Sequence, residues 1–121
     1  MKAAHMTIGA LGEAVAKRYL RKKGYRIVAR NYRTKYSEID LIFYDKETLV
    51  FAEVRTKVGE RFGAPEESIK GDKIKRLKRA AAAYAARKGH NGSYRIDAVC
   101  IVLDEAKEIQ RLNHYQNITL I

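Results

Sequence analysis

Two short runs of strand character stand four polar residues apart, and their spacing constrains the fold more than any other feature of the chain. Ser37-Glu38-Ile39-Asp40-Leu41-Ile42-Phe43-Tyr44 and Leu49-Val50-Phe51-Ala52-Glu53-Val54-Arg55 are rich in aliphatic and aromatic residues, with Asp45-Lys46-Glu47-Thr48 between them. Loops of this length are among the common hairpin connections. With Tyr44 paired to Leu49, all cross-strand pairs have numbers with the same sum, which sets Asp40 opposite Glu53 and Glu38 opposite Arg55. Strand side chains alternate, so these four are expected on one face, with Lys57 two residues further along it.

Opposed residues of an antiparallel pair have Cβ atoms roughly 5 Å apart, and like charges there are destabilising. An Asp40–Glu53 pair therefore calls for compensation. A hard divalent cation supplies it, since Mg²⁺ is commonly held by one or two carboxylates together with waters and substrate phosphate. The plainer alternative is a solvated sheet face, with Glu38 and Arg55 as an ion pair and Asp40 accepting from a nearby backbone or hydroxyl group. Leu49 and Phe51 flank Glu53 on its face and weigh against full solvation.

A chain of 121 residues has the size of one domain, and 46% hydrophobic against 32% charged residues marks it as globular. Residues 1–121 are expected to form a single unit with a core over about 9–112, leaving 1–6 and 113–121 peripheral. No apolar run approaches the roughly 18 residues of a spanning helix. Met1 to Met6 lacks the layout of a signal peptide, so a cytoplasmic location is expected. The single cysteine, Cys100, lies inside the apolar run Ala98–Leu103 and reads as a buried, inert thiol.

A formal net charge of +11, from 25 Lys and Arg against 14 Asp and Glu, implies an anionic partner. No acid lies between Glu13 and Glu38, while Lys17, Arg18, Arg21, Lys22, Lys23, Arg26, Arg30, Arg33 and Lys35 accumulate there. A second block holds Lys70, Lys73, Lys75, Arg76, Lys78 and Arg79. Both flank the carboxylate hairpin, as expected where a phosphate backbone must be drawn to acidic groups. The second block wraps its helix instead of forming an amphipathic stripe, which favours nucleic acid over a membrane surface.

Further elements follow from periodicity and punctuation. Thr7 is suited to cap a helix running to about Lys23, with Leu11, Val15, Tyr19 and Leu20 inward and Gly24 as its stop. Tyr25 to Tyr32 reads as a strand with Tyr25, Ile27 and Ala29 on one face. Lys57 to Ala64 reads as a mobile loop around Gly59 and Gly63, followed by Pro65 at a helical start. Asp72 is expected to cap a helix from Lys73 to about Lys88, with Ile74, Leu77, Ala81 and Tyr84 inward. Gly89-His90-Asn91-Gly92 ends it. Tyr94 to Leu103 reads as a buried central strand, and about Lys107 to Leu112 as a last one. A right-handed crossover would make the strands at 49 and 94 parallel. The fold expected is α/β: a mixed central sheet flanked by helices.

These blocks together resemble a known family. Gly12-Glu13, Ser37-Glu38-Ile39-Asp40-Leu41-Ile42, Phe51-Ala52-Glu53-Val54-Arg55-Thr56-Lys57, Phe62-Gly63, Lys73 and Arg95-Ile96-Asp97 look like the YraN family, over about Gly9 to Leu112. That bacterial family is assigned to the restriction-endonuclease-like PD-(D/E)xK superfamily, close to archaeal-type Holliday junction resolvases. The resemblance implies a restriction-endonuclease-like core in which Glu13, Asp40 and Glu53 are the acidic, metal-binding residues. It also implies a homodimer, if the chain follows the resolvases. The superfamily's lysine falls at Arg55, a departure, because an arginine is effectively always protonated.

The function implied is Mg²⁺- or Mn²⁺-dependent hydrolysis of phosphodiester bonds in DNA, branched DNA among the candidates. Asp40, Glu53 and Glu13 would hold the metal, while Arg55 or Lys57 would stabilise developing charge. Lys73, Arg76, Arg33 and Lys35 are candidates for phosphate contact. The alternative is a nuclease fold that binds nucleic acid without cutting it. Arg95 and Asp97, on one strand face, are expected to form a supporting ion pair. His5, His90 and His114 show no ligand spacing.

Overall fold

The computed structural model describes residues 6–120. It is a five-stranded mixed sheet in the order β1-β2-β3-β4-β5, antiparallel except for the parallel β3–β4 pair. In chain order the elements are α1 (Ile8–Lys22), β1 (Arg26–Arg33), β2 (Glu38–Asp45), β3 (Thr48–Val58), α2 (Gly71–Arg87), β4 (Tyr94–Leu103) and β5 (Ile109–Tyr115). One-turn 3-10 helices lie at Pro65–Ser68 and Ile118–Leu120. Of the regions expected to be peripheral, residues 1–5 and 121 lie outside the described residues. Among the described residues no helix is long and apolar enough to cross a membrane.

Each helix covers one cluster of sheet side chains. Ala16 and Leu20 of α1 pack on Leu41, Phe43, Val50, Ala52, Val99 and Ile101. Leu77, Ala81 and Tyr84 of α2 pack on Ile42, Leu49, Phe51 and Ile96. The hairpin register is the expected one, from Asp45–Thr48 through Tyr44–Leu49 to Leu41–Ala52. Thr7 caps α1, its hydroxyl accepting the Ala10 N–H at 3.0 Å. Gly24 ends α1 with φ +91, a backbone state open to glycine.

Several expectations are corrected. Ile27 packs in the α1 cluster and Ala29 in the α2 cluster, because a register shift between them turns the strand over. Asp72 is not the cap of α2. The helix starts at Gly71 after Lys70 without a side-chain cap, and Asp72 lies inside the first turn, where its charge complements the helix dipole. Lys57 belongs to β3 instead of a loop, since parallel pairing with β4 continues through Lys57–Val102 and Val58–Leu103.

The last strand starts later and runs further than periodicity implied. Asp104 accepts the N–H groups of Ala106 and Glu108, which builds a turn and delays β5 to Ile109. The tail is not peripheral either: Ile118 is buried in the α2 cluster, and His114 lies buried against Asp97 at 2.8 Å. Asp97 also takes two hydrogen bonds from Arg95, the expected ion pair, and the Asn117 N–H. Burial works against the Asp97 charge, yet these donors hold its carboxyl below the usual range. Cys100 is buried, which pushes its thiol up to about 12 and leaves it inert.

Candidate metal centre and nucleic-acid interface

The β2–β3 ladder stops at Leu41–Ala52, one pair short of the two carboxylates. Beyond it Asp40 Oδ2 accepts the Val54 N–H at 2.8 Å, so a side chain takes over from the backbone ladder. The same point is irregular on the other side. Arg30–Leu41 and Tyr32–Ile39 flank Asn31, which faces Asp40 and has the left-handed φ of +49. Ile39 packs in the α2 cluster while Leu41, two residues on, packs in the α1 cluster. Regular alternation, which put Glu38, Asp40, Glu53 and Arg55 on one face, therefore fails at Asp40. Glu38 pairs with Arg33 at 3.6 Å, not with Arg55.

Glu53 sits on the part of β3 covered by α2 and is only 2% exposed. Its Oε2 receives Arg55 Nη2 at 2.8 Å and Lys73 Nζ at 3.6 Å. Its Oε1 is buried with no hydrogen-bond partner, as is Arg55 Nε. Burial raises the Glu53 carboxyl above its ordinary value, against the opposing charges of Arg55 and Lys73. The half-buried Asp40 carboxyl is pushed up to about 7, first by burial, then by the charge of Glu53, with Glu13 adding a smaller push.

Glu13 reaches this opening from the other face of the sheet. Gly12 allows it: an added Cβ would overlap the Thr56 hydroxyl and lie 2.7 Å from Thr56 Cβ, so α1 rests directly on β3. The Glu13 carboxylate, half-buried, accepts Asn31 Nδ2 at 3.0 and 3.2 Å. Among the described residues no three His, Cys, Asp or Glu side chains form a group able to hold a metal ion. At the ladder's end the charge of Glu53 acts on Asp40, and Glu13, which accepts from Asn31, acts on it more weakly.

The cationic candidates separate into two groups. Arg55 and Lys73 reach Glu53, and Lys57 follows Arg55 on the same side of β3. Arg76 is exposed one turn beyond Lys73 on α2. Arg33 and Lys35 lie at the β1–β2 turn, Arg33 held by Glu38 and Lys35 over the Tyr36 ring. Asn31 escaped sequence reasoning, and the only signal for it was the tolerance of asparagine for left-handed backbone. Lys73, by sequence a candidate for phosphate contact, approaches Glu53 at 3.6 Å, a position that depends on where α2 docks.

Comparison with known proteins gives a consistent family. The family described as Uncharacterised protein family UPF0102 matches residues 12–101. A UPF0102 protein of Pelotomaculum thermopropionicum is 42% identical over 97% of this chain and 98% of its own. One of Alkaliphilus metalliredigens is 40% identical over 89% of this chain and 96% of its own. One of Syntrophomonas wolfei is 40% identical over 91% and 95%.

Proposed function

The chain belongs to the UPF0102 family, the YraN-like family its motifs resemble, and from the site it builds we propose a metal-dependent endonuclease that hydrolyses phosphodiester bonds in DNA. Membership of the PD-(D/E)xK superfamily is part of the same proposal. The observation that carries it is the orphaned, buried Oε1 of Glu53 beside an Asp40 carboxyl pushed up to about 7. Buried polar atoms are nearly always satisfied, so an exception of this kind marks a place for a partner. A carboxyl raised as far as Asp40, beside a second one that burial also raises, is the pattern of functional sites.

The donor set fits a hard cation such as Mg²⁺ or Mn²⁺, which needs only one or two carboxylates when waters and phosphate oxygens complete its shell. Asp40 and Glu53 would hold it, with Glu13 as a third acid once released from Asn31. An ion held there would supply Lewis-acid polarisation of a phosphate oxygen and a lowered pKa for a bound water.

The remaining roles belong to the chain's own cations. Arg55, in contact with Glu53, keeps a permanent charge at the opening and stabilises the negative charge that develops on the phosphate. Lys73, on a flexible stem and 20% exposed, supplies from α2 the lysine that strand position 55 lacks. Lys57, Arg76, Arg33 and Lys35 extend the cationic surface along which the phosphate backbone lies.

The test is cleavage of supercoiled, linear and four-way-junction DNA with Mg²⁺ or Mn²⁺, by the wild type and Asp40→Asn, with binding measured in parallel. Cleavage lost in the variant while binding persists is the expected result. One observation favours a second reading, a nuclease fold that binds without cutting: Arg55 already neutralises Glu53 at 2.8 Å. Binding without cleavage, unchanged in Asp40→Asn, would establish that reading.

A further inference from the structure

Phe62 is 88% exposed, about twice as much as the next large apolar side chain among the described residues, Ile109 at 46%. The backbone segment that carries it is nevertheless held in place. Arg111 binds Glu60 through Nε and Nη2 at 3.0 and 2.9 Å, and Glu66 through Nη1 and Nη2 at 2.8 and 3.0 Å. One guanidinium thus ties together both ends of the segment that carries the ring. The Gly63 N–H closes a turn on the Glu60 carbonyl at 3.1 Å, the Gly59 N–H bonds the Leu103 carbonyl at 2.9 Å, and Gly59 and Gly63 take φ of +70 and +114. The Arg61 guanidinium lies 5.6 Å from the centre of the ring.

We propose that Arg61 and Phe62 form a fixed stacking platform for an unpaired nucleobase. The inference rests on the nucleic-acid reading of the site and narrows its substrate to DNA with a frayed, forked or branched segment. An aromatic face takes a base of any identity, whereas a paired base has its faces occupied by its neighbours in the stack. β3 leads from the carboxylates through Arg55 and Lys57 to this platform, with about 17 Å of strand from Glu53 to Val58. The stacked base is therefore several nucleotides from the phosphate at the carboxylates. Asp104 and Glu105 line the recess beside the ring and repel phosphate, so a base lies there and the sugar-phosphate chain passes on the Arg61 side.

A protein partner fits less well. Stable protein interfaces cover about 800 Å² per partner, and around this ring only Val58 and Ala106 add apolar surface, set among Arg61, Asp104, Glu105 and Gln110. A single base needs only the ring.

The experiment measures anisotropy of a blunt duplex and of the same duplex ending in a fork, without divalent metal, for the wild type, Phe62→Ala, Phe62→Leu and Phe62→Trp. A 2-aminopurine in the fork reports stacking. The expected result is about tenfold weaker fork binding for Phe62→Ala and Phe62→Leu, duplex binding within about twofold, and retention by Phe62→Trp. Aminopurine quenching should follow the same order. Unchanged fork binding in Phe62→Ala, or equal loss on both DNAs, overturns the inference while leaving the nucleic-acid reading intact. A Phe62→Ala change in sedimentation without a change in fork binding assigns the ring to a second copy of the chain. If the wild type binds neither DNA, the nucleic-acid reading fails and this inference with it.

Discussion

Lys73 approaches Glu53 from a different element than Arg55 does: its Nζ stands 3.6 Å from the Oε2 that Arg55 Nη2 contacts at 2.8 Å. The two cations are not equivalent. Arg55 adjoins Glu53 on the strand and has a buried Nε, whereas Lys73 swings on a long stem from the first turn of α2. Lys73→Ala is expected to lower cleavage about 100-fold or more with DNA binding changed less than about threefold, as for loss of a group that acts on developing charge. Lys73→Arg should restore binding but only part of the rate. Equal losses in binding and cleavage would make Lys73 an ordinary phosphate contact.

Asp40→Asn should stabilise the metal-free protein at pH 8 by about 1 kcal/mol, a trade common at functional sites. The amide oxygen can still accept the Val54 N–H, while the charge that burial and Glu53 disfavour is gone. Urea denaturation with EDTA measures the difference. Mg²⁺ or Mn²⁺ should raise the midpoint of the wild type and not that of Asp40→Asn. A variant less stable than the wild type would show the carboxylate to be a structural acceptor.

The parts of this fold legible in the sequence are those set by near neighbours. The Tyr44–Leu49 register follows from a four-residue loop, the Thr7 cap from its own next turn, and the Arg95–Asp97 pair from strand alternation. What escaped depends on docking and on local exceptions to alternation. Nothing near Asn31 compels its left-handed backbone, and no periodicity reveals the turnover at Ile27–Ala29. His114 showed no ligand spacing because its partner, Asp97, comes from the neighbouring strand. The carboxylate pair was readable, but its opening at Leu41–Ala52 was not, since the Asp40 side chain takes the Val54 N–H in place of a continued ladder.

Gly9 and Gly12 lie one turn apart on α1 and should respond to alanine with opposite signs. Nothing stands within 4 Å of a Cβ built at Gly9, so Gly9→Ala gains helix propensity, about 0.5–1 kcal/mol. At Gly12 the new methyl meets Thr56, and α1 must lift from β3 at a cost of about 1–3 kcal/mol. Because Glu13 is the next residue, Gly12→Ala should also weaken metal binding in calorimetry, while Gly9→Ala leaves it unchanged. Equal effects of the two changes would mean that α1 does not rest on β3 as described.

Acid should loosen the segment that carries Phe62. Hydrogen bonds from Arg111, with help from Tyr115, hold the Glu66 carboxyl down at about 2 from an ordinary 4.5. A carboxyl depressed in the folded state contributes stability that is complete above its unfolded value and is lost as pH falls through the folded one. The loss attributable to Glu66 therefore spans about pH 4.5 to 2. Because the pair is partly exposed and screened by salt, its contribution is about 1 kcal/mol or less. Thermal unfolding of the wild type and Glu66→Gln between pH 7 and pH 2.5 isolates it: the variant should start less stable at pH 7, and the two should converge toward pH 2.5. Parallel curves would show that Arg111 does not hold Glu66 in solution, and that the segment between Glu60 and Glu66 is fixed by its backbone turns alone.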